Sequence, residues 1–536
     1  MHGSLLLSAF LVAYNYCTLS YTTAYWGEDE WRAELDRLAE HQVTAALLLD
    51  GTEKVWLETL KDMGYPKDRI ESFIADPAAR AWWLMGNLEG LGAPVSNAEI
   101  EKKARLGKWL FKEMRARGIE PILQGFNGIV PSGTKGAIEQ GMWCRVFRRP
   151  AILSPLSPDF DKFAAAWYKH LAEVYDYGEE PPKYLAGDLM HEGGGGFDEK
   201  TLAEIARKVQ ASQAKYCGEK TTWVLQSWQG TPPQGILDGL DPKRTLIEFL
   251  DKDMSRTGPC GARYVNRTTG EPINWVWCEV LNFGGNPGLY GGAKRFRSLD
   301  AIRSEPGCVG FGMLSEGLFT NAAMYELFFE AATHEGEIKD FYRRFAEKRY
   351  GCSCAELEQA FTILEETVWN CPRRQEGAVE NIICAKPAFE IANVSAWGPR
   401  EGIYYDPKRL VEARELFERA AKANPTLSRN AAFLYDCAEM DGQIAGNELR
   451  ALLPECKTNP AKRREFLAII ERTAVKLSKS SLSRLPCREK PYWRMITTWT
   501  GDEASAEKSA LADYAHRLYP ELIRGYYLPR WRKFLQ

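Results

Sequence analysis

The sequence predicts a (β/α)8 barrel of the TIM type followed by an all-α helical domain. Up to about residue 335, short apolar runs alternate with amphipathic helical patterns, and beyond that point only helical patterns remain. Strands that are buried on both faces of a parallel sheet read as continuous apolar runs. Strands that alternate with helices over about 320 residues are typical of an eightfold barrel. We therefore expect a barrel over 1–335 and a helical domain over 336–536.

Eight apolar runs are the candidate barrel strands: 14–20, 43–50, 119–124, 183–188, 221–228, 245–251, 272–281 and 308–315. Before the first of them, 4–13 is also apolar and is similar to the core of a signal peptide. That segment lacks a preceding basic region and is too short to span a membrane. The interpretation as a first barrel strand with its lead-in is the one we favour.

Helices are expected between the strands at 28–41, 96–117, 158–176 and 198–216. The second of these has the clearest start and stop signals. Ser96 and Glu99 form a capping box, in which each side chain binds the backbone N–H of the other residue. Gly118 then provides the residue that most often ends a helix.

The helical domain is predicted from six segments: 337–350, 355–369, 408–423, 427–447, 461–480 and 504–535. In the fifth segment, Phe466, Ile470, Ala474 and Leu477 follow the spacing of one buried helix face. No strand pattern and no internal repeat occurs after residue 336, so we expect these helices to pack on one another.

Charge and composition exclude several classes of function. The chain has 69 Lys and Arg against 72 Asp and Glu, which gives no reason to expect a nucleic-acid partner. No apolar run is long enough to cross a membrane. The six His and 13 Cys form no metal-binding motif, and no metal or cofactor is expected. The scattered cysteines argue against a disulfide framework and leave one or two bridges open.

The 17 Trp, 23 Tyr and 23 Phe are a large aromatic content with two possible uses. Large flat rings either pack a core or stack on sugars. Trp228, Trp275, Trp277 and Phe283 lie near the ends of predicted strands, and 282–292 is a Gly/Asn loop suited to line a pocket. For Trp82, Trp83 and Met85, a core helix face and a sugar platform both stay open.

The first candidate for chemistry is LAGDLMHEGGGG, residues 185–196, which follows the fourth strand. Glu192 lies just beyond Asp188, on a loop with four glycines, and a carboxyl there serves as a general acid if burial raises its pKa. The alternative is a surface glutamate on a flexible loop. A phosphate-binding loop is disfavoured because no Gly-Lys-Ser/Thr follows.

The second candidate is Glu316 in GFGMLSEGLFTN, residues 310–321, which follows the eighth strand. Taken alone, it also fits an acidic residue that caps a helix. Together with Glu192 it is more informative, because two carboxylates at strand ends of one barrel are what glycoside hydrolysis requires. Asp50 is a third acidic residue at a strand end.

Long motifs throughout the chain resemble those of the alpha-N-acetylglucosaminidases, glycoside hydrolase family 89. They are YNYCTLSY (14–21), the Gly51-Glu53-Trp56 spacing, AWWLMGNLEGLGAP (81–94), LQSW (225–228), WCEVLNFGGNPGLYGG (277–292), GMLSEGLFTN (312–321), FAEKRYG (345–351), VWNC (368–371), ITTW (496–499) and YYLPRWRKFL (526–535). The resemblance covers nearly the whole chain from residue 14 onward.

This resemblance implies an exo-acting retaining enzyme that releases terminal alpha-linked N-acetylglucosamine and needs no metal. By motif, Glu192 corresponds to the acid/base and Glu316 to the nucleophile. Retention predicts carboxyl groups roughly 5–5.5 Å apart. The residues implied for the sugar pocket are Asn15, Cys17, Trp82, Met85, Trp228, Asn282 and Trp499. The helical domain, which contains Trp499, is then expected to help close the pocket.

The sequence departs from the family at a position that the resemblance implies binds sugar hydroxyls, because His191 precedes Glu192 in place of the usual Asn. An imidazole offers a hydrogen-bond donor and an acceptor in a different geometry from an amide. Altered sugar specificity is therefore one alternative. An inactive glycan-binding protein is a second, although the presence of both candidate glutamates speaks against it. Mucin-type and heparan-type glycans are both open as substrates, and the neutral, mucin-type ones are favoured because no obvious Lys/Arg cluster flanks the motifs. The family implies a secreted, periplasmic or lysosomal protein, although a clear signal peptide is missing.

Overall fold

A computed structural model describes residues 10–92, 94–144, 146–189, 191–192, 196–251, 263–318, 320–372, 378–392, 394, 402–481 and 514–536. The chain forms two compact units. The first consists of Met1–Val280 and Asp300–Leu314, and the second of Leu281–Leu299 and Ser315–Gln536. The division of the chain at 335/336 stays a prediction.

Eight parallel strands in the first unit close into a barrel. They are β1 (Phe10–Ala13), β2 (Ala45–Leu48), β3 (Glu120–Gln124), β4 (Tyr184–Ala186), β5 (Thr222–Ser227), β6 (Thr245–Leu250), β7 (Asn274–Glu279) and β8 (Cys308–Met313). Each strand pairs with its neighbours in sequence, and β8 pairs with β1 to close the ring. The predicted barrel is confirmed, with an all-helical region after it.

The β8–β1 seam depends on a glycine. Phe10 lies opposite Gly310 in the parallel register, and a Cβ at Gly310 would lie only 1.9 Å from the carbonyl oxygen of Phe10. No side chain fits at that distance. The small residue within the apolar run of β8 therefore serves the closure of the barrel.

The prediction of a strand at 14–20 is wrong, because β1 lies earlier, at Phe10–Ala13. Tyr14 adopts φ 71°, which ends the strand, and Thr18–Tyr21 forms a short helix. The Asn15 side chain accepts hydrogen bonds from the backbone N–H and hydroxyl of Thr18, at 2.8 and 3.0 Å. This local bonding competes with strand pairing. The strand interpretation of 4–13 is confirmed for 10–13.

The four helices predicted within the barrel half are confirmed to within two residues at each end. They span Glu28–Glu40, Asn97–Ala116, Pro158–Tyr175 and Glu199–Cys217. The capping box at Ser96 forms as expected: the Glu99 N–H donates to the Ser96 hydroxyl at 3.3 Å, and the Ser96 N–H donates to the Glu99 carboxylate at 3.0 Å. Further helices of this unit are Thr52–Asp62, Lys67–Phe73, Arg80–Leu84 and Gln234–Gly239, and Leu299–Arg303 spans the boundary to the second unit.

The second unit is helical in its described residues. Its helices are Ala293–Phe296, Ala322–Thr333, Phe341–Tyr350, Ala355–Glu366, Pro407–Ala423, Ala431–Leu452, Pro460–Leu477, Pro520–Leu522 and Leu528–Leu535. The predicted face of Phe466, Ile470, Ala474 and Leu477 is buried. Trp531 packs on Phe466 with ring centroids 4.7 Å apart.

The helix predicted at 504–535 is correct only in its last part. Residues 504–513 lie outside the described residues, and 514–519 are irregular, so the helical segment begins at Pro520. Ile523–Tyr527 continues it as a π-helical turn. Within the described part of the chain, no helix combines the length and the apolar character needed to cross a bilayer.

Candidate active site

Glu192 in the first unit follows β4 and is held from two sides. The side-chain amide of Asn87 donates a 2.7 Å hydrogen bond to Glu192 Oε2. Arg149 donates to the backbone carbonyl oxygens of Glu192, at 2.7 Å, and of His191, at 3.2 Å. Glu192 itself adopts φ 47°, in the left-handed region that non-glycine residues seldom occupy. Its carboxyl group is thus anchored, although the loop contains four glycines.

Arg149 and Asn87 are both buried, and they also contact each other at 3.5 Å. Burial lowers the pKa of Arg149, and the charge of Glu192 opposes this shift. The nearby Cys144 thiol has a pKa raised to about 11 by burial, to which Glu192 also contributes. Cys144 therefore stays a neutral thiol at physiological pH.

Five buried residues with polar side chains form a group that we call the amide-bridged cluster: Tyr16, Gln124, Asp188, Gln226 and Glu248. Gln226 joins the two acids, because its backbone N–H donates to Asp188 Oδ1 at 2.8 Å and its side chain to Glu248 Oε2 at 3.3 Å. The Tyr16 hydroxyl donates to Gln124 at 2.9 Å.

Neither acid of this cluster has a Lys or Arg in hydrogen-bond contact among the described residues. Burial raises the pKa of Glu248 to about 8, and the charge of Asp188 adds to the shift. Burial also raises the pKa of Asp188 to about 6, which His191 partly opposes. The pair therefore holds a proton at neutral pH.

His191 is buried beside this cluster, with only 4% of its surface exposed. Its ring Nδ1 has no hydrogen-bond partner among the described residues. The Asp188 charge interacts with the imidazole. His191, which stands where the resemblance predicts Asn, is thus a buried polar side chain whose Nδ1 can form a further hydrogen bond.

The predicted pocket residues of the first unit are mostly buried against protein. Trp82 packs edge-on against Trp143, with ring centroids 4.7 Å apart, and Met85 is 5% exposed. Asn15 is engaged with Thr18, and Cys17 immediately precedes the short helix that begins at Thr18. Trp228 is half-buried at the end of β5. Whether these residues bind a sugar stays a prediction.

Asp50, the third acidic residue at a strand end, belongs to a different arrangement that we call the cation-paired cluster: Asp50, Glu53, Arg80 and Lys103. Arg80 contacts Glu53 at 2.6 Å and Asp50 at 3.3 Å, and Lys103 contacts Asp50 at 2.8 Å. Burial raises the pKa of Asp50, but the charges of Lys103 and Arg80 outweigh it and leave the pKa below its usual value. All four groups are buried.

Glu316 in the second unit is 3% exposed and is fixed by its neighbours. Its backbone N–H donates to the carbonyl oxygen of Leu281 at 3.0 Å, and the Ser315 hydroxyl donates to the same oxygen at 2.8 Å. The Gly284 N–H donates to Glu316 Oε2 at 2.5 Å. A backbone donor therefore orients this carboxylate.

Asn282 is placed in the same loop and is fully engaged with protein groups. Its amide donates to the carbonyl oxygens of Asn286 and Gly288, at 2.8 and 3.0 Å, and its oxygen accepts from Asn321 at 2.7 Å. These bonds shape the loop around Gly284. Trp499, the remaining predicted pocket residue, lies outside the described residues.

Asn87, Arg149, Glu248 and Gly284 were not singled out from the sequence. Glu248 could have been, since a single acid within a continuously apolar strand is a recognisable anomaly. Asn87 lies inside the AWWLMGN motif, of which only the large side chains were considered. Arg149 gives no local signal. The described residues contain no group of three or more His, Cys, Asp or Glu placed to bind a metal.

An eight-stranded parallel barrel with an anchored glutamate beyond β4 and another beyond β8 has the architecture of a glycoside hydrolase. The family model for the alpha-N-acetylglucosaminidase TIM-barrel domain matches residues 12–335. The model for the C-terminal domain of the same family matches residues 341–481 and 493–536. The chain belongs to the alpha-N-acetylglucosaminidases, glycoside hydrolase family 89.

Human alpha-N-acetylglucosaminidase is 25% identical over 575 residues, which cover 97% of this chain and 74% of the human one. A family 89 glycoside hydrolase from Clostridium perfringens, solved in complex with 2-acetamido-1,2-dideoxynojirmycin, is 28% identical with a TM-score of 0.86. The same enzyme with two glutamates replaced by glutamine, in complex with its substrate GlcNAc-alpha-1,4-galactose, gives a TM-score of 0.85. Both matches cover 99% of this chain and 63% of the solved chain, so this chain spans less than two thirds of that relative.

Proposed function

We propose that the protein is an exo-acting retaining alpha-N-acetylglucosaminidase, with Glu316 as nucleophile and Glu192 as acid/base. The observation that carries the proposal is the pair of anchored glutamates, which follow two barrel strands in a chain of this family. Asn87 holds Glu192 Oε2, and the Gly284 N–H holds Glu316 Oε2. Double displacement requires two carboxyl groups with separate roles, and each of these glutamates is held by its own hydrogen-bond donor.

In the first step, Glu316 attacks the anomeric carbon and forms an ester bond while the glycosidic C–O bond breaks. Glu192 gives its proton to the departing oxygen. In the second step, Glu192 takes a proton from water, whose oxygen attacks the anomeric carbon and releases Glu316. Two inversions give N-acetylglucosamine with retained alpha configuration. Separate anchors for the two acids suit their separate roles.

The substrate class we propose is a neutral glycan that ends in alpha-linked N-acetylglucosamine. The bacterial relative binds its substrate GlcNAc-alpha-1,4-galactose, whose second sugar is uncharged. Arg149, the buried cation beside Glu192, donates to carbonyl oxygens of the protein. We therefore expect faster hydrolysis of that disaccharide than of N-acetylglucosamine alpha-linked to a uronic acid. Faster release from the uronic acid would reassign the protein to heparan-type substrates.

The test is release of a chromophore from an aryl alpha-N-acetylglucosaminide. Glu316→Gln should lower kcat/KM by about 10³-fold or more for every leaving group. Glu192→Gln should do so for a poor leaving group and far less for dinitrophenol, whose departure needs no proton. Glu335→Gln, on the protein surface, is the matched control and should keep full activity.

Azide assigns the two roles by stereochemistry. In Glu316→Ala, azide should attack the substrate directly and give the beta-glycosyl azide. In Glu192→Ala, azide should attack the beta-linked glycosyl-enzyme and give the alpha-glycosyl azide. The opposite pattern would exchange the assignments. Tight sugar binding without turnover in the wild type would indicate the inactive glycan-binding alternative.

Altered sugar specificity is the second candidate, and buried His191 is the observation that favours it. Its Nδ1 has no hydrogen-bond partner among the described residues and offers a group to a sugar hydroxyl. Wild type and His191→Asn should be compared on N-acetylglucosaminides and N-acetylgalactosaminides. A wild type that prefers the second sugar, with preference reversed in His191→Asn, would replace the main proposal.

A further inference from the structure

We propose that Arg517 is a positioning residue for the nucleophile, because it holds the Asn282–Gly285 turn whose Gly284 N–H binds the Glu316 carboxylate. The proposal rests on the proposed function, since it takes Glu316 as the nucleophile. It concerns a residue 233 positions away from Gly284 in the sequence. Arg517 acts on the reaction only through the turn.

The turn adopts a conformation that needs support from outside. Asn282, Gly284 and Gly285 have φ of 53°, 64° and 65°, so three of its four residues lie in the left-handed region. This region is unfavourable for most residues, and glycine enters it only at a cost in chain entropy. A Cβ at Gly284 would lie 2.6 Å from the carbonyl oxygen of Tyr514, so the two backbones approach closely.

Arg517 fixes the turn at the peptide that follows the donor N–H. Its Nη1 donates to the carbonyl oxygen of Gly284 at 2.7 Å, and also to those of His516 and Ala515 at 3.0 and 3.1 Å. Arg517 as a whole is only 7% exposed, so little water competes for these bonds. With the Gly284 carbonyl fixed, rotation of that residue is restricted and its N–H stays directed at Glu316.

The other end of the loop is fixed independently by an amide pair. Asn321 donates to Asn282 Oδ1 at 2.7 Å and to the Gly288 carbonyl oxygen at 2.9 Å. Asn321 lies five residues after Glu316, so the nucleophile segment and the Gly284 loop are tied together. With that end of the loop fixed, the hydrogen bond from Arg517 to the Gly284 carbonyl oxygen restricts the conformation of Gly284 itself.

Arg517→Met removes the guanidinium donors and keeps an unbranched apolar stem. We expect kcat to fall about 10- to 100-fold, the scale of a misplaced reacting group, with KM changed less than about threefold. Arg517→Lys keeps a cation with N–H donors and should recover part of the loss. Arg463→Met is the matched control, because Arg463 also donates to three carbonyl oxygens, those of Cys456, Lys457 and Leu535. It should leave kcat unchanged.

A second measurement separates positioning from a general loss of structure. In the Glu316→Ala background with azide, the carboxylate is replaced by a diffusing nucleophile, so adding Arg517→Met should lower the rate of beta-azide formation less than twofold. An equal fold loss in both backgrounds would overturn the proposal, as would full activity of Arg517→Met with Glu316 intact. Failure of Glu316→Ala to form the beta-azide at all would instead overturn the proposed function.

Discussion

The barrel contains two clusters of buried acids, and the two clusters avoid an uncompensated buried charge in opposite ways. In the cation-paired cluster, Asp50 and Glu53 face Arg80 and Lys103 at 2.6–3.3 Å. In the amide-bridged cluster, Asp188 and Glu248 are joined through Gln226. In the first, neighbouring cations keep Asp50 ionised, and the second keeps a proton because ionising both Asp188 and Glu248 would leave two buried charges.

The difference shows that buried acids can contribute to stability as charged groups in one cluster and hold a proton at neutral pH in the other. The pKa of Asp50 is lowered, so its stabilising contribution is present above its ordinary pKa of 3.8 and is lost as the pH falls. The pKa of Glu248 is raised from 4.5 to about 8, so folding retains a proton and stability is lost as the pH rises through this window. The two clusters thus weaken at opposite ends of the pH scale.

Breaking the cation-paired cluster should have the largest effect. Arg80→Met leaves two buried carboxylates beside the single Lys103 and should lower the free energy of unfolding by about 3–5 kcal/mol at pH 7. Urea unfolding followed by tryptophan fluorescence measures it. Adding Glu53→Gln should recover part of the loss. Arg343→Met, in an exposed pair with Glu347, is the control and should change stability by less than about 1 kcal/mol. If Arg80→Met also changed stability by less than about 1 kcal/mol, buried Asp50 would not be ionised beside Arg80.

Glu248→Gln should make the free energy of unfolding less dependent on pH, and not only change its value. The wild type should lose roughly 3 kcal/mol between pH 5 and pH 8 as the retained proton is released, because the pKa of Glu248 is raised from 4.5 to about 8 and one unit of pKa difference corresponds to about 1.4 kcal/mol. The variant keeps an acceptor for Gln226 and cannot ionise, so its unfolding free energy should vary less over this range. Urea unfolding of both proteins at three pH values tests this. If the unfolding free energy changes equally with pH in the wild type and in the variant, Glu248 is already ionised.

Asp188→Asn sharpens the same comparison with a smaller effect. It keeps an oxygen for the Gln226 N–H and removes the charge that helps to raise the pKa of Glu248. The midpoint of the pH-dependent stability loss should move to lower pH, with a coupling to Glu248→Gln of about 1 kcal/mol in a double-mutant cycle. Strict additivity would mean that the two acids do not share their proton.

The alternation of apolar runs and helical patterns was sufficient to predict the barrel, since burial on both faces leaves a direct mark on a strand. The first strand was misplaced because Tyr14–Ser20 has residue types common in strands, while the left-handed φ of Tyr14 and the side-chain bonds of Asn15 decide the local structure. Tight local hydrogen bonding overrides residue preference there.

The two candidate glutamates were identified from motifs, but what holds them was not. Arg149 reaches the Glu192 backbone across 43 residues, and Arg517 reaches Gly284 across 233. Such contacts depend on the folded path of the chain and leave no local pattern. Glu248 shows the opposite case, because an acid within an apolar strand signals a special environment in the sequence itself.

The membership of Leu281–Leu299 and Ser315 in the helical unit has a consequence for how this architecture can evolve. An exchange of the barrel half of the gene at the boundary between the two family models would carry Glu316 and Gly284 away from Arg517. The recombined chain would combine Glu316 and Gly284 from one parent with the Arg517 segment from another, so the nucleophile and its positioning residue would no longer come from the same parent. Selection for activity should therefore favour transmission of the two halves together, as one heritable unit.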